Sequence, residues 1–266
     1  MASGERIFVQ AIRRYCAARG IAVDVRSAGW LIAMRRGPRR HFAFGYDIGL
    51  NSAIAHRLAN DKSATAEALT LAEVPCIPHR LFLSPKLGVH VAGADWREGM
   101  LALLAENPQG VVVKPNEGTS GRSVFKVTTE AELDHAASEV FSMSTGLVIS
   151  PYVAIEQEVR VVLLDDAPRV VYSKQRGSDW RHNLDAGAKP VLLQDGEVRA
   201  ACVKLAIDAA RAIGIVFASI DVVRVDGEWK LLEINSGVMM ETLAKLHPAL
   251  VQATYDAALD RVFDKT

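Results

Sequence analysis

The segment Ser219-Ile-Asp221-Val-Val-Arg-Val-Asp226-Gly227-Glu-Trp-Lys-Leu-Leu-Glu233-Ile-Asn235-Ser-Gly237 constrains this chain more than any other. Its residue types predict two β-strands joined by a tight Asp226-Gly227 turn, a dipeptide that two-residue hairpins favour. The first strand carries one acid, Asp221, in an apolar run, and the second ends in Glu-Ile-Asn. Side chains alternate faces along a strand, so Glu233 and Asn235 share a face that Asp221 reaches from the neighbouring strand. Buried acids without a countercharge are costly, so a cation is expected there. Three hard oxygen donors on one face suit Mg²⁺ bound to a nucleotide. The competing reading is an ordinary solvated hairpin.

A second segment, Val111-Val-Val-Lys114-Pro-Asn-Glu117-Gly118-Thr119-Ser120-Gly121-Arg-Ser-Val-Phe-Lys126-Val, reads as strand, Gly-rich loop, strand. It is neither a P-loop nor the dinucleotide fingerprint, because no Gly-Lys-Ser/Thr or G-x-G-x-x-G opens a helix. A Gly-Thr-Ser-Gly hairpin can still lie over phosphates and offer backbone N–H donors. Lys114, ending an apolar strand, is a point charge suited to a phosphate oxygen. Taken alone, two glycines in a hairpin and a lysine at a strand end are common features of solvated loops.

Six motifs in order give the chain a family resemblance. They are Asn60-Asp61-Lys62-Ser-Ala-Thr65 at a helix start, Val113-Lys114-Pro-Asn-Glu-Gly-Thr-Ser-Gly121, Val148-Ile-Ser150-Pro-Tyr152-Val153, Glu158-Val-Arg160, Arg181-His-Asn183, and Asp221 with Glu233 and Asn235. Over about Asn51 to Leu246 the chain resembles the ATP-grasp ligases, in the branch holding ribosomal-protein glutamate ligases, glutathione synthetases and cyanophycin synthetase. The resemblance implies an α/β (α+β) fold in which a nucleotide lies between two α/β subdomains. It implies an ATP-grasp domain over 51–266; ahead of it the related ligases generally carry a larger domain, whereas residues 1–50 read here as a short N-terminal α/β unit, a departure from the family pattern. Within that domain a flexible lid spans about 76–150 and a metal-binding subdomain about 151–266.

The same resemblance implies the roles. Lys62 and Lys114 contact the α- and β-phosphates. Glu117, Gly118, Thr119, Ser120 and Gly121 belong to the loop that closes over the triphosphate. Backbone groups near Ser150, Tyr152 and Val153 meet the adenine edge, and Glu158 takes the ribose hydroxyls. Asp221, Glu233 and Asn235 hold one or two Mg²⁺, with Mn²⁺ as an alternative ion. Arg160, Lys174, Arg176, Arg181 and Asn183 surround the phosphoryl path, Arg181 and Asn183 being favoured for the acylphosphate and Arg160 for a substrate carboxylate. The implied reaction joins a carboxylate to an amine through an acylphosphate, on an amino acid or short peptide. Alternatives are a small-molecule kinase and a non-catalytic nucleotide-binding module.

Each role has a bland rival. Glu158 and Arg160 could be a surface ion pair of little worth. Lys174 and Arg176 could be the solvated face of a strand, and Tyr152 could simply pack.

Composition agrees with a globular protein: 266 residues, half of them hydrophobic, can bury a sizeable core. Lysine plus arginine and aspartate plus glutamate are 31 each, so no charge bias points to nucleic acid or a membrane. No apolar run is long enough to span a bilayer, and the N-terminus lacks a hydrophobic signal region. Cys16, Cys76 and Cys202 form no metal or redox spacing and read as core residues of a cytoplasmic protein. Homodimers are common among relatives, but no interface is legible.

Along the chain, Ile7, Phe8, Ala11, Ile12 and Tyr15 mark a helix that Gly20 stops. Short strands follow at 21–25, 30–34 and 41–44, and Arg35-Arg36-Gly-Pro-Arg39-Arg40 reads as a solvated turn. Asn51 is the expected N-cap of one helix and Asp61 of the next. Further strands are expected at 80–83, 110–114, 123–127, 147–150, 157–164 and 168–175. Helices are expected at 96–106, 129–141, 197–212 and about 239–263, with a break at His247-Pro248. Trp30 and Trp96 read as core, and Met239 and Met240 as an adaptable apolar contact for substrate.

Overall fold

The computed structural model describes residues 4–87, 96–118, 123–175, 189–194 and 196–264. Helix α1 (Ile7–Ala18) is followed by an antiparallel sheet of β1 (Ala22–Arg26), β2 (Leu31–Arg36) and β3 (Arg39–Phe44). The apolar stripe of α1, including Phe8, Ile12 and Tyr15, is fully buried. Its N-terminus lacks a local cap. The Glu241 carboxylate supplies one from far along the chain, accepting from Ile7 N at 2.9 Å and Phe8 N at 3.4 Å.

Two short helices come next, α2 (Ala53–Asn60) and α3 (Lys62–Leu71). Ser52, not Asn51, caps α2, accepting from Ala55 N at 3.1 Å. Asn51 instead clasps the backbone of Val216 and Phe217, its Oδ1 accepting from both amides at 2.9 Å. Asp61 caps α3 as expected, which places Lys62 at its first helical position.

A four-stranded sheet in the order β4-β7-β5-β6 consists of β4 (Arg80–Leu83), β7 (Gly146–Pro151), β5 (Val111–Pro115) and β6 (Phe125–Val127). Helices α4 (Trp96–Glu106) and α5 (Glu130–Met143) complete it. Val111, Val113, Leu147 and Ile149 point to one face and bury against Met100, Leu133, Ala137 and Val140. Val112, Lys114, Val148 and Ser150 alternate to the other face. Thr129 and Glu132 form a capping box at the start of α5.

The remaining sheet has the order β10-β9-β8-β11-β12: β10 (Lys189–Leu192), β9 (Ala167–Gln175), β8 (Gln157–Leu164), β11 (Phe217–Val225) and β12 (Glu228–Asn235). Strand β10 lacks the apolar run that sequence reasoning relies on and was not expected. One face of the sheet, with Val159, Val161, Ile220, Val222 and Ile234, packs on α2, α3 and α6 (Glu197–Ile213). The other face is divided. Val162, Leu164, Val170, Tyr172 and Phe217 bury against α1 and α8 (Pro248–Phe263), so the first fifty residues share one core with the C-terminal helix. The rest of that face is charged and forms the site.

Several apolar residues lie elsewhere than expected. Trp30 is half exposed, its ring against Arg6 and Phe44 rather than in the core. Met240 is buried in the core with α8, which removes it as a substrate contact, while Met239 is half-buried. The C-terminal helical stretch is two helices, α7 (Glu241–Ala244) and α8, separated before Pro248 as the His247-Pro248 pair predicts. Among the described residues, no helix is long and apolar enough to cross a membrane.

Candidate functional site

The β11–β12 hairpin forms as its sequence requires. Asp226 and Gly227 both have positive φ, 52° and 79°, the geometry of a two-residue turn that matches strand twist. Asp221 lies directly opposite Glu233 across the ladder, and Ser219 opposite Asn235. A bulge between Asp221 and Val222 follows, where β12 carries an extra residue. Asp221, Glu233 and Asn235 are thus brought to one face.

Strands β8 and β9 add charge to that face. Arg160 lies opposite Asp221 on β8 and grips it in a bidentate pair, Nε to Oδ1 at 2.7 Å and Nη2 to Oδ2 at 2.6 Å. The Lys174 ammonium sits 3.0 Å from Asp221 Oδ2 and donates to Glu158 Oε1. All four side chains are largely withdrawn from water. The countercharge that buried Asp221 needs is therefore supplied by the protein itself. Glu158 and Arg160 are not a surface pair, and Lys174 is not solvated. Arg160 is committed to Asp221, not poised alone for a substrate carboxylate.

Burial works against the Asp221 carboxylate, but Arg160 and Lys174 outweigh it and hold its pKa at about 2. Burial pushes Glu158 upward, with Lys174 opposing and Asp221 reinforcing the rise. Lys174 is held protonated by Asp221 and Glu158 against burial and the nearby Arg160.

Two lysines approach from the other side. Lys62 Nζ donates to Gly118 O at 2.9 Å and Asn116 O at 3.3 Å, and its backbone N–H donates to Asn116 O at 3.2 Å. Asn116 Oδ1 also accepts from Ser63 N at 3.1 Å, so the start of α3 is stitched to the end of β5. Lys114 is buried. Burial lowers its pKa to about 8, with Glu233 opposing that fall and Lys62 adding to it. Lys62 is lowered by burial as well, and Glu233 pulls it back. The two lysines and Glu233 therefore sense one another across one cleft.

Beside the cleft, Ile77, Val223 and Val225 are buried together, with Val153, Ile155 and Leu232 packed against them. The segment leading to β4 runs along β12, Leu231 N donating to Pro75 O at 2.9 Å and Ile77 N to Leu231 O at 2.8 Å. Ser150 is buried on the cleft face of β7. The Tyr152 N–H is already donated to Gly110 O at 3.0 Å, and its ring carries Lys126 Nζ 3.5 Å from the centroid. Glu117 forms a bridge with Asp61, beside Gly118. Thr119, Ser120, Gly121, Arg176, Arg181, His182 and Asn183 lie outside the described residues.

Sequence reasoning passed over two residues here. Asn116 lies inside the Lys114 motif and ties both lysine-bearing elements together, a role its spacing alone does not announce. His79, one of the scattered histidines, is buried beside the lysines, and only the adjoining Pro78 and strand hinted at a fixed position.

The residues present fit a hard divalent cation. The donor set on the hairpin face is two carboxylates and an amide, all oxygen, and Asp221 is fully ionised above its depressed pKa. Among the described residues, no three His, Cys, Asp or Glu side chains cluster at metal-ligand spacing.

Lys114 on the four-stranded sheet and Lys62 at the start of α3, which packs on the five-stranded sheet, thus meet the acidic hairpin in one cleft beside an apolar slot. The sequence matches the RimK-like ATP-grasp domain over residues 88–251, and the chain belongs to that family. Among curated proteins it is 25% identical over 200 residues to a probable alpha-L-glutamate ligase of Haemophilus ducreyi, covering 74% of this chain and 60% of that one. It is 26% identical over 200 residues to the tetrahydromethanopterin:alpha-L-glutamate ligase of Methanococcus maripaludis, covering 71% and 63%. The chain thus spans about three fifths of the length of these relatives. Among solved structures, D-alanine–D-alanine ligase from Bacillus anthracis complexed with ATP superposes with a TM-score of 0.61 at 20% identity, covering 80% of this chain and 68% of that one. The bifunctional glutathione synthetase of Pasteurella multocida superposes with a TM-score of 0.52 at 14% identity, covering 90% and 41%. These structures share the ATP-grasp fold.

Proposed function

We propose that the protein is an ATP-dependent carboxylate–amine ligase, acting on an amino acid or short peptide through an acylphosphate. The observation that carries this reading is the Asp221–Glu233–Asn235 face lying across one cleft from Lys62 and Lys114. Names of relatives as alpha-L-glutamate ligases support a glutamate-like substrate.

The chemistry asks mainly for positioning and charge neutralisation. Lys62 and Lys114 bind phosphate oxygens of ATP, and residues 76–150 act as the lid subdomain that carries Lys114. Val153, Ile155, Val223 and Leu232 pack against the base. Asp221, Glu233 and Asn235 would hold Mg²⁺, which would neutralise phosphate charge. Arg160 and Lys174 keep Asp221 ionised and aimed. Ser150 lines the base end, and Glu117 and Gly118 begin the cover loop that continues through Thr119, Ser120 and Gly121. Glu158 reaches a ribose hydroxyl only by sharing its carboxylate with Lys174. Arg181 and Asn183 are assigned to the γ-phosphate and acylphosphate by family position alone. A carboxylate oxygen attacks the γ-phosphorus, the bond to the β-bridging oxygen breaks and ADP leaves. An amine then attacks the acyl carbon, phosphate departs and the amine proton goes to solvent.

The test is ADP release from MgATP with pooled amino acids and dipeptides, with hydroxylamine as a trap. Donor-dependent ADP with a hydroxamate product supports the ligase. ADP with a phosphoester and no hydroxamate replaces it with a kinase.

A further inference from the structure

His79 is buried, 8% exposed, at the entry to β4. Its Nδ1 lies 2.9 Å from Ile77 O, a contact only an N–H can make with a carbonyl, so Nδ1 carries the proton. The opposite atom, Nε2, is left as a lone pair, is buried, and has no hydrogen-bond partner. A buried acceptor left unpaired costs stability, and such an atom persists where something absent from the structure completes it.

Its position says what that partner is. Arg80 pairs with Ile149, so the register sets His79 level with Ser150 on the cleft face of the four-stranded sheet. Ile77, two residues earlier, belongs to the apolar slot with Leu232, and the cavity that His79 lines beside them, about 10 Å³, has room for about one water. Burial, Lys114 and Lys62 all oppose a positive charge on the ring, which keeps it neutral. Neither lysine donates to Nε2. A lone pair is repelled by phosphate oxygens, so the partner is an uncharged donor at the base end of the cleft.

We propose that His79 Nε2 accepts a hydrogen bond from the 6-amino group of the purine, and thereby selects adenine over 6-oxo purines. This rests on the nucleotide cleft assigned above. Inosine and guanine present an oxygen at that position, and two acceptors would face each other in a buried site. A site built to pair with a donor rejects an analogue that lacks it far more strongly than an apolar slot does.

The experiment is the Kd of the full chain for ATP, ITP and purine riboside triphosphate, each with Mg²⁺. It is run on the wild type, His79→Leu and His79→Gln, with a thermal melt for each. In the wild type, ATP should bind at least roughly tenfold more tightly than either analogue. His79→Leu should bring the three within about threefold of one another, mostly by weakening ATP, and His79→Gln, which keeps an acceptor, should restore part of the preference. Equal binding of the three nucleotides by the wild type overturns the proposal without using a variant, and covers the case in which Nε2 merely binds a buried water. An unchanged preference in a folded His79→Leu overturns it too. If the wild type binds no nucleotide at all, the cleft assignment falls with it.

Discussion

Arg160 and Asp221 face each other across adjacent antiparallel strands and are joined by two hydrogen bonds of 2.7 and 2.6 Å. The pair settles how a carboxylate that is 4% exposed at its side chain remains charged. It also assigns Arg160 a task different from the one its motif suggests. The guanidinium orients the hairpin acid from behind, and Lys174 reaches the same carboxylate and ties it to Glu158.

Removing one member of a buried pair leaves the other uncompensated, whereas removing both does not. Arg160→Met should therefore lower the free energy of unfolding by about 3–5 kcal/mol, and Arg160→Met with Asp221→Leu by clearly less than the two single changes summed. Urea denaturation of the four proteins measures the coupling. Additive losses would show that the two side chains do not stabilise one another.

Asp221 also sets an acid limit. Its carboxyl titrates at about 2 in the folded chain against an ordinary 3.8. A depressed acid contributes stability that is present above its unfolded value and is lost as the pH falls through the folded value. The contribution is about 2 kcal/mol and should disappear between roughly pH 4 and pH 2. Glu158 shifts in the opposite direction, so it does not add to this loss. Unfolding free energies of wild type and Asp221→Asn, compared across that range, should converge. A constant difference down to pH 2 would contradict the assignment.

Lys114 behaves in the reverse sense. Burial brings its pKa to about 8, below the ordinary 10.5, so the folded chain holds fewer protons than the unfolded one between those values. Its ammonium costs stability below pH 8, and that cost shrinks as the pH rises. Lys114→Met should accordingly raise stability at pH 7 by about 1–3 kcal/mol while weakening ATP at least about tenfold. In the wild type, ATP affinity should fall above pH 8, approaching about tenfold per unit, with proton uptake on binding. Calorimetry at pH 8.5 in two buffers of different ionisation enthalpy detects that proton. A pH-independent affinity in the wild type would remove Lys114 from the phosphate contacts.

Much of this was legible in the chain because it is local. The Asp226-Gly227 turn, the alternation that pairs Glu233 with Asn235, and the Asp61 cap beside Lys62 are each decided within a few residues. What escaped depends on partners distant in sequence. Asn51 looked like a cap but serves the Val216–Phe217 backbone, and Ser52, equally suited by type, took its place. Trp30 looked like core, yet the three-stranded sheet is covered by α1 on one side only, and its ring lies half exposed. Met240 looked like a binding residue, but the core shared by α1 and α8 claims it. A motif such as Glu158-Val-Arg160 shows two charges on one strand face, whereas the partner of each charge follows from strand order, which β8 between β9 and β11 decides.

With Lys62 on the phosphates as proposed, the Asp61 cap would couple helix stability to nucleotide binding, and that coupling can be isolated. Asp61 Oδ1 accepts from Ala64 N at 2.8 Å and from Ser63 Oγ at 2.9 Å, fixing the first turn from which Lys62 projects. Asp61→Ala should cost about 1 kcal/mol of stability. It should also raise KM for ATP several-fold with little change in kcat, because Lys62 loses its fixed origin rather than its charge. Thr129→Ala removes a cap of the same kind from α5, whose capping residues do not contact the lysines. It should cost a similar amount of stability and leave KM unchanged. If both variants shift KM alike, the effect is global loosening. If neither does, Lys62 is positioned by its bonds to Asn116 and Gly118 alone.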